Sequence, residues 1–243
     1  MPTVLILGAT SDIGYAVAKK YASEKYAVQL AGRNPEALKP LQSDLTIRYA
    51  IDCSIYRFDA DDIQSHASFY DQLSPKPDIC VCAVGYMNDN DTVIADTNET
   101  IRTINANYTG PVSILNIIAA DFAKRGSGAI AGISSVAGLR GRQSNYIYGS
   151  AKAGFIAYLS GLRNKMFPQK VHVLTVLPGF VNTRMTADLD LPKLLTAQPD
   201  EVAKAIYNGI KKQKNVIYVK WFWRWIMFII TSIPEFIFKK KKL

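Results

Sequence analysis

Apolar residues follow two alternating patterns along the first part of the chain. Short, mostly apolar runs at Thr3–Leu7, Ala27–Ala31 and Ile79–Val84 are typical of buried strands. Between these runs, the segments Gly14–Tyr21 and Glu36–Leu45 carry apolar residues at helical spacing. The alternation predicts repeated strand–helix units, which build a parallel sheet covered by helices on both faces.

The same alternation continues into the second part of the chain. A long helix is expected over Ile101–Lys124, and another from about Tyr148 to Met166. Strands are expected at Ala129–Ile133 and His172–Val176. The predicted fold class is therefore α/β, a Rossmann-type doubly wound parallel sheet in a single domain. Ligands of such sheets bind beyond the carboxyl ends of the strands, so chemistry is expected in the residues that follow each strand.

The loop after the first predicted strand has the glycines of a phosphate-binding turn. It reads Gly8-Ala9-Thr10-Ser11-Asp12-Ile13-Gly14, in which glycine permits a tight turn and leaves helix amides facing an anion. A dinucleotide pyrophosphate fits there, and a plain strand–helix connection is the alternative. After the second strand, Arg33 stands where an acidic residue would bind ribose hydroxyls. An arginine there suits a 2′-phosphate and favours NADP(H) over NAD(H), the alternative being a solvated surface side chain.

Ser135, Tyr148 and Lys152 are the candidate catalytic residues. Tyr148 and Lys152 are four residues apart on a predicted helix and therefore share a face. A phenol with a pKa near about 10 is a weak acid, and a neighbouring ammonium is expected to lower that pKa. Ser135 follows a buried strand and precedes Tyr148 by thirteen residues, so it can hold the substrate oxygen while the proton passes.

Taken in order, the glycine loop, the serine, the Tyr-x-x-x-Lys pair and the segment Leu177–Thr183 resemble the motifs of the short-chain dehydrogenases, over roughly residues 3 to 190. The resemblance implies an oxidoreductase that interconverts a ketone and a secondary alcohol, with Tyr148 as general acid or base and a bound nicotinamide as hydride carrier. It also implies that Asn107 helps to hold a proton-relay water. Within the cofactor site, Asp59 would contact the adenine and Thr183 the nicotinamide carboxamide.

The cofactor contacts that the resemblance implies are Gly8, Thr10, Ser11, Asp12, Ile13, Gly14, Arg33, Asp59, Gly85, Tyr148, Lys152, Pro178, Gly179, Val181 and Thr183. Two positions depart from the family pattern. Asp12 replaces the middle glycine of the loop, and its carboxylate is expected to turn away from the pyrophosphate, with helix capping as one role open to it. The aligned run Cys82-Ala83-Val84-Gly85 keeps the family's glycine and lacks its two asparagines.

Charge is concentrated at the carboxyl end of the chain. The formal net charge is +9, and the last 33 residues hold nine basic side chains against one acid, Glu235. There the aromatic and apolar run Trp221–Phe238 precedes Lys239–Lys242. Because the preceding body is close to neutral, nucleic acid is not an expected partner. We therefore divide the chain into a catalytic domain, residues 1–215, and a membrane-associating tail, residues 216–243.

Three arrangements of the tail are open: a helix in a membrane interface, packing on the body or a partner subunit, and a transmembrane span. Tryptophans beside lysines suit the lipid headgroups, and the lysines favour anionic lipid. The tail resembles that of short-chain reductases of polyprenyl-phosphate-linked keto sugars, such as decaprenylphosphoryl keto-pentoses. That resemblance implies a lipid-linked substrate, on a cytoplasmic enzyme at the inner face of a membrane. The substrate lid is expected at about residues 185–198.

Other functional classes have weaker support. The odd number of cysteines, three, in a chain without a signal peptide predicts reduced thiols in the cytosol. His66 and His172 adjoin no plausible nucleophile, so a histidine-based hydrolase is not expected. No further metal ligands lie at a suitable spacing from them, so a zinc site is not expected either. The family resemblance implies a homodimer or homotetramer formed through the long helices. The alternative function is a non-catalytic nucleotide-sensing or membrane-docking protein on the same scaffold.

Overall fold

A computed structural model describes residues 1–187, 190 and 192–241 of the chain. The strands are β1 (Thr3–Leu7), β2 (Ala27–Gly32), β3 (Cys53–Arg57), β4 (Ile79–Cys82), β5 (Gly128–Ile133), β6 (Val171–Pro178), β7 (Phe180–Val181), β8 (Thr196–Ala197) and β9 (Val216–Val219). Seven of them form one parallel sheet in the order β3-β2-β1-β4-β5-β6-β9, and β7 pairs with β8. This confirms the predicted α/β fold with a doubly wound parallel sheet. The order of strands reverses direction between β1 and β4, which opens a crevice at their carboxyl ends.

Helices cover both faces of the sheet. They are α1 (Asp12–Ser23), α2 (Lys39–Tyr49), α3 (His66–Gln72), α4 (Asn90–Ala95), α5 (Thr97–Ile104), α6 (Gly110–Arg125), α7 (Tyr146–Met166), α8 (Pro199–Lys211), α9 (Trp223–Ser232) and α10 (Glu235–Phe238). The single long helix predicted over Ile101–Lys124 is divided, because a π-helical turn at Asn105–Thr109 separates α5 from α6. Such turns are frequent at functional sites.

The central strand shows why the sheet needs helices on both sides. Val4 and Ile6 pack into the cluster beneath α1, α2 and α8, whereas Leu5 and Leu7 pack into the cluster beneath α3, α6 and α7. Successive side chains of a strand point to opposite faces, and all four of these are fully buried. The continuous apolar run of β1 is therefore the signature of a strand covered on both faces.

The carboxyl-terminal tail begins later than predicted. Residues 216–219 form β9, which pairs with β6 at the edge of the sheet, so the sheet extends four residues beyond the predicted boundary. After β9 the chain turns back, and Trp223 and Met227 of α9 are buried against Val136 and Leu177. The physical reason is that the β-branched residues of β9 complete the sheet and thereby bring α9 next to the end of β6.

Arg140 holds the carboxyl end of α9 against the body. Its Nη1 donates to the carbonyl oxygens of Ile230, Thr231 and Ile233, at 3.0, 3.0 and 2.6 Å, and its Nη2 donates to Glu235 at 2.9 Å. A cation at this place satisfies the free carbonyls that end a helix. Lys242, at the end of the predicted basic run, lies outside the described residues.

One face of the tail packs on the body, which is the arrangement expected if the tail is part of the folded protein. The opposite face is open: the exposed fractions of Trp221, Trp225, Phe228 and Ile229 are 72%, 57%, 63% and 64%. In the part of the chain that the structure describes, no helix has the length and hydropathy needed to cross a bilayer.

Candidate active site

The three candidate catalytic side chains line one cavity at the carboxyl edge of the sheet. Ser135 follows β5 and begins a short 3-10 turn, where its Oγ accepts a hydrogen bond from the Ala137 amide at 3.1 Å. Tyr148 lies in the first turn of α7, and Lys152 lies one turn later. All three contribute to a cavity of about 460 Å³. The spacing in sequence therefore corresponds to proximity in space.

The pKa of Tyr148 differs in direction from the sequence-based expectation. Burial in the cavity raises it from 10.0 to about 12, while hydrogen bonding with Ser135 and the positive charge of Arg142 lower it. The net lowering expected from the sequence is not found, because the cost of removing a phenolate from water exceeds the stabilisation by Ser135 and Arg142. A phenol with this pKa is protonated at neutral pH and can act as a proton donor.

Lys152 is buried at the base of the same cavity. Its exposed fraction is 3%, and its Nζ donates to the carbonyl oxygen of Ile133 at 3.1 Å and lies 5.7 Å from the ring centroid of Tyr148. Burial lowers the pKa of this ammonium to about 8. The charge of Lys152 is therefore poised to change just above neutral pH.

Asn107 lies in the π-helical turn and lines neither this cavity nor the smaller one beside it. Its side-chain Oδ1 accepts from the Tyr86 amide, and its Nδ2 donates to the carbonyl oxygens of Tyr86 and Thr103. Both hydrogens of the amide nitrogen are thus engaged within the protein. A Cβ on Gly85 would lie 3.2 Å from this Oδ1 and 3.5 Å from the Lys152 Nζ, so Gly85 lets the two side chains approach each other.

A smaller cavity of about 110 Å³ adjoins the larger one at the amino end of α1. Of the predicted residues, it is lined by Gly8, Thr10, Ser11, Arg33, Asp59 and Gly85. Of the predicted residues, the larger cavity is lined by Thr10, Ser11, Asp12, Ile13, Arg33, Gly85, Ser135, Tyr148, Lys152, Pro178, Gly179, Val181 and Thr183. The two cavities share Thr10, Ser11, Arg33 and Gly85 and so form one elongated site whose size and lining fit a dinucleotide.

The glycines of the loop have steric roles. Gly8 has φ +80°, and a Cβ there would lie 2.9 Å from the carbonyl carbon and oxygen of Ala83. Gly14 lines neither cavity, and a Cβ there would lie 2.4 Å from the Gly8 carbonyl oxygen. Gly14 therefore allows α1 to pack closely on the turn, and the four residues Thr10–Ile13 line the cavities.

Asp12 takes a partner that the sequence did not indicate. The helix is capped by Ser11, whose Oγ accepts from the Gly14 amide at 3.0 Å, so the capping role considered for Asp12 is wrong. The Asp12 carboxylate instead accepts from the backbone amide of Arg184 at 2.7 Å and from its Nε at 3.1 Å. The guanidinium also donates to the Thr10 carbonyl oxygen. This contact joins the glycine loop to the residue that precedes the predicted lid, and the Arg184 guanidinium compensates the charge of the Asp12 carboxylate.

The predicted lid is described in part. Residues 188, 189 and 191 lie outside the described residues. Around them, Arg184–Thr186 form a 3-10 turn, Thr196–Ala197 form β8, and Met185 and Thr186 line the larger cavity. The segment that begins the lid thus contributes directly to the wall of the site.

Several residues that line the larger cavity were not among the sequence candidates, and Arg142, Asn145 and Trp223 are the ones that bear most on its chemistry. Arg142 and Asn145 belong to the segment between Ser135 and Tyr148, and a basic residue so close to the tyrosine is a signal that the sequence does contain. Trp223 reaches the cavity only because α9 folds back onto β6, and its Nε1 donates to the Leu195 carbonyl oxygen at 3.2 Å. No local pattern predicts that contact.

A family model described as short chain dehydrogenase matches residues 2–193. The chain belongs to the short-chain dehydrogenase family. An uncharacterized oxidoreductase of Mycobacterium tuberculosis is 32% identical over 240 residues, which cover 98% of this chain and 96% of the relative. A 3-oxoacyl-[acyl-carrier-protein] reductase of Chlamydia trachomatis is 27% identical over 220 residues, which cover 84% and 87% of the two chains.

Solved structures agree with this assignment. A short-chain dehydrogenase from Sphingobium yanoikuyae, determined in complex with NADPH, has a TM-score of 0.82 and 25% identity, and the match covers 90% of this chain and 87% of that one. The protein is therefore an NAD(P)-dependent oxidoreductase of the short-chain dehydrogenase family. Its cavities hold the residue types that this chemistry needs, at the carboxyl ends of the strands where ligands of such sheets bind.

Proposed function

We propose that this short-chain dehydrogenase interconverts a ketone and a secondary alcohol, with Tyr148 as the general acid that protonates the ketone oxygen. The observation that carries the proposal is the shared cavity, in which Ser135, Tyr148 and Lys152 meet at one end of a site shaped for a dinucleotide. Reduction of a ketone requires a proton donor, and a neutral phenol is one. The pKa of Tyr148, about 12, keeps the phenol protonated at neutral pH.

Each side chain has a separate task in the proposed reaction. A bound nicotinamide supplies the hydride that the carbonyl carbon accepts. The Ser135 hydroxyl donates a hydrogen bond to the carbonyl oxygen, and Tyr148 transfers its phenolic proton to that oxygen as negative charge develops there. The ammonium of Lys152 stabilises the phenolate that remains and can bind a ribose hydroxyl, and solvent then returns the proton to Tyr148.

The proposal is tested against the non-catalytic alternative by two measurements on the same preparation. We expect a fluorescence change when the protein is titrated with NADPH, and oxidation of NADPH when a panel of ketones is added. Binding without oxidation of NADPH by any ketone in the panel would favour a nucleotide-sensing protein. Absence of binding would reject both the reductase and the nucleotide sensor.

We propose NADPH as the preferred cofactor, with Arg33 holding the 2′-phosphate. Arg33 lines both cavities, and among the described residues no carboxylate lies within ion-pair distance of it. The relative from Sphingobium yanoikuyae was solved with NADPH. The Arg33→Ala variant should lower the ratio of kcat/KM for NADPH to that for NADH by about tenfold or more, since a charged hydrogen bond is lost. Arg48→Ala, on the exposed face of α2, is the control, and an unchanged ratio in Arg33→Ala would refute the assignment.

We further propose that the tail docks on anionic membrane at its cytoplasmic face and that the substrate is lipid-linked, such as a polyprenyl-phosphate keto sugar. The open apolar face of α9 and the exposed Lys239, Lys240 and Lys241 combine apolar area with positive charge. The buried face of the same helix places Trp223 in the wall of the larger cavity. A substrate held in the membrane would thus meet the site beside the docking surface.

Substitution tests the docking surface better than truncation does. Deleting the tail would also uncover Leu177 and Val136, which Trp223 and Met227 bury. We therefore choose the triple variant Trp221→Ser, Trp225→Ser, Phe228→Ser, with Ile47→Ser as a control at an exposed apolar residue of α2. Co-sedimentation with vesicles of phosphatidylcholine and phosphatidylglycerol should fall in the triple variant alone. Equal sedimentation of the triple variant and the control would contradict docking.

We propose a homodimer or homotetramer that forms through the long helices. The support is the exposed apolar surface of α5 and the adjoining π-helical turn, where Ile101, Ile104 and Tyr108 are 50%, 37% and 36% exposed. Light scattering of the unaltered protein should give a molar mass at least twice that of one chain. The Ile101→Asp variant should have a lower molar mass. A monomeric mass for the unaltered protein would reject the assembly.

A further inference from the structure

The segment between Ser135 and Tyr148 brings a second set of polar groups to the larger cavity. Arg142 and Asn145 both line it, together with Tyr148. Neither lines the smaller cavity, where the adenosine end of the cofactor is expected. These two side chains therefore belong to the end of the site where a substrate would lie.

Both side chains have a buried polar atom without a partner. The Nε of Arg142 and the Oδ1 of Asn145 are inaccessible to solvent and have no hydrogen bond among the described residues. One is a donor and the other an acceptor, and they are not bonded to each other. Buried polar groups are normally paired, so an unpaired donor and an unpaired acceptor on two side chains that line the same cavity indicate a ligand that supplies the complementary groups.

The charge of Arg142 is also uncompensated, unlike that of its neighbours. Arg140 pairs with Glu235 at 2.9 Å, and Arg184, in the wall of the same cavity, pairs with Asp12 at 3.1 Å. No carboxylate among the described residues lies within ion-pair distance of Arg142. Burial lowers the pKa of its guanidinium, which is the cost of holding a cation there without a counter-charge.

We propose that Arg142 binds an anionic group of the substrate, a carboxylate or phosphoryl group placed beyond the ketone that Tyr148 protonates, and that Asn145 accepts a hydrogen bond from a hydroxyl or amide beside it. The inference rests on the proposed ketone chemistry and adds a substrate class to it. A guanidinium suits this task because its planar donors match the oxygens of carboxylate and phosphate.

The cofactor's own phosphates are the competing source of negative charge. The pyrophosphate is expected at the loop Gly8–Gly14, and the 2′-phosphate at Arg33, so neither needs Arg142. The two sources are distinguished by the affinity for NADPH. The Arg142→Gln variant should bind NADPH within about threefold of the unaltered protein, and a tenfold or greater loss would assign Arg142 to the cofactor and overturn the proposal.

The direct test measures anion binding by calorimetry on the protein saturated with NADPH. The probes are phenyl phosphate, benzoate and the neutral benzyl alcohol. The unaltered protein should bind at least one anionic probe about tenfold or more tightly than benzyl alcohol, which is the effect of a charge-assisted hydrogen bond. Arg142→Gln should abolish this preference, Arg142→Lys should retain part of it, and the control Arg48→Gln should keep it whole.

Two results would overturn the proposal: no preference for either anion in the unaltered protein, or the same preference in Arg142→Gln. If Arg142→Gln unfolds, the partial preference of Arg142→Lys carries the test, and no change in that variant would count against the inference. Failure of the proposed ketone reduction can be distinguished from failure of anion binding by Arg142. If the protein fails to bind NADPH or to reduce ketones, the same titrations of the protein alone still report whether Arg142 binds an anion.

Discussion

The indole of Trp223 lies directly against Gly179: a Cβ on that glycine would be 2.0 Å from the indole Cε2 and Nε1. The contact joins the carboxyl-terminal tail to the segment that follows β6, where the nicotinamide end of the site is expected. The tail is therefore part of the cavity wall as well as a candidate docking surface.

The first prediction concerns this contact. Gly179→Ala should displace Trp223, because no side-chain adjustment of a buried indole accommodates a Cβ at that distance. We expect a red-shifted tryptophan emission and faster proteolysis of the tail. Gly161→Ala is the control, since a Cβ at Gly161 meets nothing within 4 Å and should leave both signals unchanged. Normal emission and proteolysis in Gly179→Ala would show that α9 does not pack as described.

Sequence patterns predicted those parts of the molecule that depend on local spacing. The apolar run of β1 and the four-residue step from Tyr148 to Lys152 each follow from the geometry of one element. Contacts between distant segments have no such local signal. Asp12 meets Arg184, and Arg140 meets the end of α9, only after the sheet has assembled.

Two further differences have local causes that the pattern could not resolve. A π-helical turn inserts one residue into an otherwise helical periodicity, so Asn105–Thr109 looked like part of one long helix. The strand β9 is four residues long and stands between two basic stretches, so its apolar residues were assigned to the tail. In both cases the periodicity was too short to separate the alternatives.

The second prediction concerns the pH dependence of ketone reduction. Burial lowers the pKa of Lys152 to about 8, so its ammonium predominates below that pH and is lost above it. Because the pKa of Tyr148 is about 12, the phenol stays protonated throughout this range. We expect kcat/KM for reduction to be level below pH 7 and to fall as the pH rises through 8. Lys152→Arg, which keeps its charge, should give a level profile at a lower rate. A level profile in the unaltered enzyme up to pH 10 would contradict this role for Lys152.

The third prediction separates the function of Lys152 from its effect on stability. Its pKa is lower in the folded protein than its ordinary value of 10.5, so the protonated lysine destabilises the fold below pH 8. That cost disappears as the pH rises from 8 to 10.5, where the unfolded chain also loses the proton. Lys152→Met should therefore unfold at a higher urea concentration than the unaltered protein at pH 7. The free energy of unfolding should be larger by up to about 3 kcal/mol. The loss of the hydrogen bond to Ile133 reduces that gain.

The comparison should be repeated near pH 10 with the same two proteins. There the advantage of Lys152→Met should shrink, because the lysine is then neutral in the folded state. If Lys152→Met is less stable than the unaltered protein by the same amount at pH 7 and at pH 10, Lys152 supports the fold through packing and hydrogen bonding.

The turnover of Tyr148→Phe tests whether the Tyr148 phenol is the proton donor. If the phenol is the proton donor, kcat for ketone reduction should fall by about 10²- to 10⁴-fold, and the affinity for NADPH should stay within about threefold. Tyr146→Phe, two residues earlier and 43% exposed, should keep full activity. Turnover of Tyr148→Phe within tenfold of the unaltered enzyme would contradict the assignment of Tyr148 as the general acid.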